Sequence, residues 1–107
     1  CACRWGGDEF IIIFYDMVYE DVSEICRLIK AELECAAIEN PVSAFNNHQT
    51  ITIGGILGKL GDVSKDKIIS LADQALYDAK KEGKNTHLIH SYNTDDRETA
   101  INRTCVD

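Results

Sequence analysis

The hydrophobic pattern at the start of the chain predicts a β-hairpin. Two short apolar or aromatic runs, at residues 2–5 and 9–15, flank Gly6 and Gly7, which is the spacing of two strands joined by a tight glycine turn. The second run contains FIIIFY and is apolar on both faces. A strand of that composition is usually central in its sheet and covered on both sides.

Two stretches of helical periodicity follow the hairpin. Asp21 and Glu24 have the spacing of a capping box, and the helix that they would begin is expected to run to about Ala37. The second helix has Gly83 at the position of a C-terminal cap. Each helix therefore presents one apolar face for packing. The apolar positions are Val22, Ile25, Cys26, Leu28, Ile29 and Leu33 in the first helix, and Ile68, Ile69, Leu71, Ala72, Ala75, Leu76 and Ala79 in the second.

The remaining apolar segments are short strands, and the last part of the chain is polar. Residues 51–57, ITIGGIL, predict a strand interrupted by the glycine pair 54–55, which indicates a bulge or a close approach by another backbone or a ligand. Residues 86–89 predict a short closing strand. Residues 92–107 are polar and weakly periodic, so we expect a linker or a frayed tail after a domain of residues 1–91.

The order strand, strand, helix, strand, helix, strand predicts an α/β domain of the α+β class. Such alternation is typical of a two-layer sandwich in which helices cover one or both faces of a mixed sheet. A ferredoxin-like β-α-β-β-α-β core would need one more strand and helix before Cys1. Since the chain begins at Cys1 and its single methionine is Met17, we expect a fragment that lacks the first strand and helix. A missing interior strand would leave backbone groups unpaired beside FIIIFY, and we expect that edge to pair with another chain.

Composition narrows the class of protein. With 107 residues, 45% of them hydrophobic and 27% charged, the chain has the size and composition of one globular domain. The net charge of −7 disfavours nucleic-acid binding, which rests on neutralising many phosphates. Five cysteines without CxxC spacing indicate the reduced thiols of a cytoplasmic domain rather than a disulfide framework. No run of about 18 apolar residues is present, which leaves open a membrane anchor elsewhere in a parent protein.

The most distinctive short motif in the sequence is RWGGDEF at residues 4–10. Gly6 and Gly7 carry no side chain that would keep a ligand from the turn, and Asp8 and Glu9 could hold a divalent cation against a phosphate group. Because side chains alternate across a strand, the two acids should point to opposite faces, so that one of them is the main metal ligand. The other interpretation is a solvated hairpin tip, and this segment alone leaves both open.

Two lysines at the end of the second predicted helix are the other candidates. Lys80 and Lys84 lie four residues apart and could converge on a polyphosphate. Cations in the last helical turn also complement the helix dipole without any ligand. The spacing of the lysines is compatible with both interpretations.

Three motifs in order resemble the GGDEF family, the diguanylate cyclase domains of bacteria. They are RWGGDEF at 4–10, TITIG at 50–54 where the family commonly has T-x-S-I-G, and ADQALYDAKKEGKN at 72–85 against AD-x-ALY-x-AK-x-x-GRN. One pentapeptide would be a weak signal, whereas three motifs at spacings that place them on hairpin, strand and helix are specific. The resemblance covers residues 4 to about 91 and implies a nucleotidyl-cyclase palm-type fold.

The resemblance implies an enzyme that condenses two GTP molecules to cyclic di-GMP with Mg²⁺ or Mn²⁺. Each GTP would be bound by one domain of an antiparallel homodimer. Asp8 matches the family's metal ligand and proposed activator of the attacking 3′-hydroxyl, and Glu9 matches a second acidic position. Gly6 and Gly7 match the turn that packs beside the ribose and the α-phosphate.

The resemblance also implies roles for the two lysines, and it leads us to expect that some family features lie before Cys1. Lys80 and Lys84 match the cations that grip the β- and γ-phosphates, with Lys84 where arginine is usual, so the bidentate fork is lost. In the family, a further metal-binding aspartate, the guanine-recognising residues and the product-inhibition motif precede the glycines, and Cys1 begins too late to show them. We therefore expect an active parent and a chain that is inactive alone. The alternative is a GGDEF-fold regulatory module that binds GTP or a partner without turnover. The sensory input stays open.

Overall fold

The chain folds as a mixed five-stranded sheet with two helices. The computed structural model describes residues 1–43, 47–59, 63–92 and 98–106. The sheet has the order β1-β2-β5-β3-β4; β3 and β4 are parallel, and the other neighbours are antiparallel. The predicted α+β class is thus confirmed. The elements are β1 (Ala2–Arg4), β2 (Glu9–Met17), α1 (Tyr19–Ala36), β3 (Ile51–Gly58), α2 (Lys65–Lys81), β4 (His87–Tyr92) and β5 (Glu98–Val106).

The two helices cover opposite faces of the sheet. Val22 of α1 packs with Ile53 and Leu57 of β3, whereas Ala72 of α2 packs with Ile56. Successive side chains of a strand point to opposite faces, so β3 contributes to both apolar clusters. The sequence left open whether helices cover one face of the sheet or both, and the structure has one helix on each face. The fold therefore has three layers, whereas two layers were expected. Neither helix in the described ranges is long and apolar enough to cross a membrane.

The predicted end of α1 is confirmed, but its predicted cap is wrong. The N-cap is Val18, which makes no side-chain cap hydrogen bond. Asp21 lies in the first turn instead, where a carboxylate interacts favourably with the positive end of the helix dipole. At the other end Ala37 takes the left-handed conformation, with φ of 49°. The local spacing that resembled a capping box therefore marked the first helical turn rather than the residue before it.

Both ends of α2 follow well-known local rules. The Ser64 hydroxyl accepts a hydrogen bond from the backbone N–H of Lys67 at 3.2 Å, which satisfies one of the free donors of the first turn. Gly83 follows the last turn with φ of 120°, a conformation that glycine adopts without strain. The prediction of a glycine cap at this position is confirmed.

Strand β5 occupies the interior of the sheet. It is formed by part of the polar segment 92–107, for which the sequence predicted a linker or a tail. It pairs antiparallel with β2 on one side and with β3 on the other. The backbone beside FIIIFY is therefore paired within the chain, so the open edge expected there is absent from the described part of the sheet. Thr104 is buried and donates its hydroxyl to the carbonyl of Phe10 at 3.1 Å, so the polar side chain is satisfied inside. The division of the chain at residue 91 stays a prediction.

Gly54 lies where α2 crosses β3. A Cβ atom added to Gly54 would overlap the backbone nitrogen and Cα of Leu76. The helix can approach this closely only because the strand has no side chain at that position. Of the two possibilities indicated by the glycine pair, close approach by another backbone is the one found at Gly54.

We expect Gly54→Ala to lower the free energy of unfolding by about 1–3 kcal/mol, because a methyl group there must push α2 away from the sheet. Urea unfolding followed by circular dichroism measures the loss. Gly7→Ala is the matched control, since a Cβ at Gly7 would meet nothing within 4 Å. Equal midpoints for the two variants would contradict the close packing of α2 at Gly54.

His87, the first residue of β4, connects the sheet to α1. Its Nε2 and the Ser23 hydroxyl share a hydrogen bond of 2.9 Å, while Nδ1 is buried and has no partner among the described residues. Burial lowers the pKa of His87 below its ordinary value, and the positive charge of Lys30 acts in the same direction. Protonation of this imidazole is therefore less favourable in the folded chain than in the unfolded chain.

The stability of the chain is expected to fall on mild acidification in a way that depends on His87. Neutral His87 contributes fully above the ordinary histidine pKa of about 6.5, and the contribution decreases as the pH falls below it, since the unfolded chain then binds the proton more readily. His87→Gln should therefore lose less stability than the wild type between about pH 7.5 and pH 5.5. Urea midpoints at the two pH values measure this, with His48→Gln, at an exposed histidine, as the control for losing an imidazole. Equal losses in wild type and His87→Gln would refute it.

Candidate functional site

The turn of the β1–β2 hairpin is held by its own backbone and by Arg4. The N–H groups of Trp5 and Gly6 both donate to the carbonyl of Glu9, at 2.9 and 3.3 Å. The exposed side chain of Arg4 donates its Nε to the Gly6 carbonyl at 3.2 Å and an Nη to the Gly7 carbonyl at 2.9 Å. Arg4 thus fixes the two peptide groups before Asp8. No role was predicted for Arg4 from the sequence, although an arginine two residues before the glycine pair is a usable signal.

Neither the backbone conformation nor the packing of the described residues requires glycine at position 6 or 7. Gly6 and Gly7 are absent from the residues with positive φ, so backbone conformation does not demand glycine. A Cβ at Gly7 would meet nothing within 4 Å, and one at Gly6 would touch only the side chain of Glu9, at 3.4 Å. The two positions therefore present bare backbone to open space, and a group from outside the chain can approach them closely.

The two acids after the glycines have different surroundings. Glu9 is 32% exposed, and its carboxylate accepts a hydrogen bond of 2.8 Å from the guanidinium of Arg103. Asp8 is exposed, and in the described part of the chain its carboxylate takes part in no hydrogen bond or ion pair. Asp8 is thus the acid whose charge is open to a cation, while the charge of Glu9 is compensated.

Arg103 is a buried cation that the sequence analysis missed. Its side chain is 8% exposed and contacts a second carboxylate, that of Asp73 on α2, at 2.9 Å. The guanidinium also lies over the ring of Trp5, 5.6 Å from the ring centre. Its Nε has no partner among the described residues, a cost of about 1–3 kcal/mol that the charged hydrogen bonds offset. Nothing in the local sequence distinguishes Arg103, because only the pairing of β5 brings it to the turn.

The two candidate lysines flank the end of α2. Lys80 is half-buried in the last helical turn, and Lys84 is exposed with φ of 62°, a left-handed conformation that is uncommon for residues other than glycine. In the described ranges neither ammonium is in a hydrogen bond or an ion pair. By contrast Lys81 lies over the ring of Tyr77, at 5.4 Å. Lys80 and Lys84, the two predicted site residues at the end of α2, therefore make no such contact in the described ranges. Interaction with the helix dipole alone stays the other interpretation.

Strand register places the turn and the end of α2 at the same end of the sheet. Glu9 lies opposite Cys105 on β5, and Cys105 lies opposite Thr52 on β3. The hydroxyl of Thr52 accepts a hydrogen bond of 3.1 Å from the backbone N–H of Asn85, which follows Lys84. Two strand spacings separate β2 from β3, which is roughly 10 Å. The acids and the lysines thus lie at the same end of the sheet, and their joint role in binding a ligand stays a prediction.

The carboxylates present suit a metal ion only if other ligands come with it. No group of three His, Cys, Asp or Glu side chains that could enclose a metal ion is present in the part of the chain that the structure describes. Magnesium is commonly bound through one or two carboxylates together with substrate phosphates and water. The exposed carboxylate of Asp8 beside bare backbone fits that manner of binding. Glu9 fits it less well because Arg103 occupies its carboxylate.

Comparison with known proteins finds relatives that are named as diguanylate cyclases. The curated protein "Probable diguanylate cyclase DgcT" of Escherichia coli strain K12 is 33% identical over 82 residues, which are 77% of this chain and 18% of that protein. Diguanylate cyclase DgcN of the same strain is 34% identical over 83 residues, 74% of this chain and 19% of that protein. Diguanylate cyclase DosC is 29% identical over 85 residues, 77% of this chain and 17% of that protein. The matched region thus spans less than a fifth of each relative. No solved structure matches the chain significantly.

A family model gives the broadest match. The model described as "Diguanylate cyclase, GGDEF domain" matches residues 1–86, which include the hairpin, both helices and β3. Strand β5 lies beyond the matched residues. Since the model covers most of the chain and agrees with the three motifs, this chain belongs to the GGDEF family.

Proposed function

We propose that the protein carrying this chain is a diguanylate cyclase, a nucleotidyltransferase that condenses two GTP molecules to cyclic di-GMP with Mg²⁺ or Mn²⁺. The names of the curated relatives support this activity. The observation that carries the proposal is the turn itself, where Gly7 has nothing within 4 Å of an added Cβ. The next residue, Asp8, is exposed. Exposed backbone next to a carboxylate without a partner among the described residues favours the interpretation as a binding site for a metal-bound phosphate over the interpretation as a solvated hairpin tip.

The acids would act on the attacking hydroxyl. In the reaction, the 3′-oxygen of one nucleotide bonds to the α-phosphorus of the other, and pyrophosphate leaves. Asp8 would bind the metal and favour loss of the hydroxyl proton. Glu9, whose carboxylate is held at 2.8 Å by Arg103, would serve as the second acid with a fixed orientation. Gly6 and Gly7 would let the ribose and α-phosphate lie against the backbone of the turn.

The lysines would bind the leaving group. Lys80 and Lys84 lie at the end of the sheet that also carries the turn, and each ammonium can donate to the β- and γ-phosphates. A lysine at position 84 keeps the positive charge but not the planar fork of arginine. The bound metal would neutralise the triphosphate and lower the pKa of the attacking hydroxyl.

The reaction needs two GTP sites that face one another. Each GGDEF domain would hold one nucleotide, so the proposed enzyme works as an antiparallel homodimer. The 107 residues alone are expected to give no turnover, since the described residues place no cluster of three metal-binding side chains around Asp8. The domain is proposed to be cytoplasmic, and any membrane anchor would belong to other parts of the protein.

A regulatory GGDEF module that binds GTP without turnover is the second candidate. The pairing of Glu9 with Arg103 favours it, because a compensated carboxylate is a poorer metal ligand. The two candidates differ in one outcome. The enzyme forms cyclic di-GMP, whereas the module binds GTP with metal and forms no product.

Asp8→Asn in the full-length protein is expected to lower the rate of cyclic di-GMP formation by about 100-fold or more, since it removes a carboxylate that handles both metal and proton. Chromatographic separation of the nucleotides measures the product. Asp21→Asn, at an exposed position of α1 far from the turn in sequence, should keep the wild-type rate. Unchanged turnover in Asp8→Asn would refute the role of Asp8, and GTP binding by a wild type that forms no product would favour the regulatory module.

Gly7→Ala is expected to weaken binding of GTP with Mg²⁺ by about tenfold while leaving the unfolding midpoint near that of the wild type. The added methyl group occupies the space through which the nucleotide would approach, and among the described residues it meets nothing within 4 Å. Isothermal titration of the full-length protein with GTP measures the affinity. Asp21→Asn again serves as the control. Wild-type affinity in Gly7→Ala would mean that the nucleotide does not lie against this turn.

A further inference from the structure

Arg103 links two parts of the molecule that are distant in sequence. It lies on β5, beyond residues 1–86 that match the family model, yet its side chain is 8% exposed. One Nη donates to Glu9 at 2.8 Å, and the other lies 2.9 Å from the carboxylate of Asp73. Glu9 belongs to the turn after the glycines and Asp73 belongs to α2. One guanidinium therefore bridges the hairpin and the helix.

The direction of the Arg103 side chain follows from the register. Arg103 lies opposite Ile11 on β2 and opposite Gly54 on β3, and residues directly opposite each other point to the same face of a sheet. Gly54 faces α2 at the position of Leu76. Arg103 thus points toward α2 from an interior strand, and Trp5 closes over it from the hairpin side.

The bridge requires both the charge and the shape of arginine. Glu9 and Asp73 are both acidic, so without a cation between them the turn and the helix would repel each other. A planar guanidinium presents separate N–H groups to two carboxylates, whereas a lysine offers a single point charge. Arg103 therefore holds the two carboxylates at a definite separation in addition to neutralising them.

The same bridge determines where Lys80 lies relative to the turn. Lys80 follows Asp73 by seven residues on α2, which is close to two helical turns, so the two residues lie on the same side of the helix. Anchoring Asp73 to the hairpin through Arg103 thus sets the distance between Lys80 and the glycines. In the proposed function this is the distance that one nucleotide triphosphate must span.

We propose that Arg103 is a positioning residue of the nucleotide site, which sets the spacing between the GGDEF turn and Lys80 by bridging Glu9 and Asp73. The inference rests on the proposed diguanylate cyclase activity and adds a residue from outside the matched family region. Arg103 acts through Glu9 and α2 and does not touch the reacting atoms. Its loss should therefore appear mainly in the binding of GTP.

Steady-state kinetics of the full-length protein with GTP and Mg²⁺ test the proposal. Asp73→Asn removes the bridge to α2 but leaves Glu9 paired with Arg103, and Asp73 is 48% exposed, so this variant should fold. We expect its KM for GTP to rise about tenfold, with a smaller change in kcat, since a displaced lysine weakens phosphate binding. Arg103→Gln should raise KM at least as much, and the double variant no more than Arg103→Gln alone, because both changes break one link.

Two further variants separate positioning from charge and from stability. Arg103→Lys keeps the charge without the fork, so KM should stay raised; a return to the wild-type KM would overturn the positioning role in favour of charge alone. Arg27→Gln, which breaks an exposed ion pair with Glu24 on α1, is the control and should keep the wild-type KM. A lower melting temperature with unchanged KM in Asp73→Asn would also overturn the proposal, leaving a structural contact only.

The failure of this inference is distinguishable from the failure of the proposed function. Product from the wild type, together with wild-type KM values in Asp73→Asn and Arg103→Gln, would overturn the positioning role alone. A wild type that forms no cyclic di-GMP would overturn the cyclase activity and the positioning role with it. A raised KM in both variants supports both.

Discussion

The pairing of β5 with β2 and β3 is the interaction on which the rest of the structure depends. Inside a sheet, every backbone N–H and C=O needs a partner, because water cannot reach it. Strand β5 supplies those partners to β2 on one side and to β3 on the other. It therefore joins the hairpin that carries the GGDEF turn to the β3–α2–β4 unit that carries the lysines. Both halves of the proposed site are aligned by one strand.

The same strand explains why two adjacent acids differ. Arg103 on β5 compensates Glu9 and leaves Asp8 open. A buried arginine between two carboxylates costs desolvation, which its charged hydrogen bonds must offset. In return, the arrangement fixes the orientation of Glu9 and its position relative to α2, while the carboxylate of Asp8 stays available to a ligand. In this chain the proposed chemistry thus rests on a strand outside the matched family region.

Much of the fold was predictable because its signals are local. The glycine turn between apolar runs, the helical period of α1 and α2, and Gly83 after the last turn each reflect short-range rules that tertiary structure left in place. The predicted N-cap of α1 was wrong because Asp21 and Glu24 have capping-box spacing although the helix begins before them, with Val18 as its N-cap. Strand β5 was missed because its composition is polar, and a residue such as Thr104 becomes interior only when another strand accepts its hydroxyl.

The site divides in the same way. Asp8, Glu9, the two glycines and the two lysines could be named as candidates from the sequence, because motifs indicate which side chains a chemistry needs and their spacing places them near the hairpin turn and the helix end. Which acid is free, which carbonyls Arg4 holds and how Arg103 ties Glu9 to Asp73 depended on contacts between residues far apart in the chain. The sequence by itself thus determined the chemical groups and their elements. Only the tertiary structure decided their pairing and spacing, because charges and hydrogen bonds act through distances that sheet register and helix packing establish.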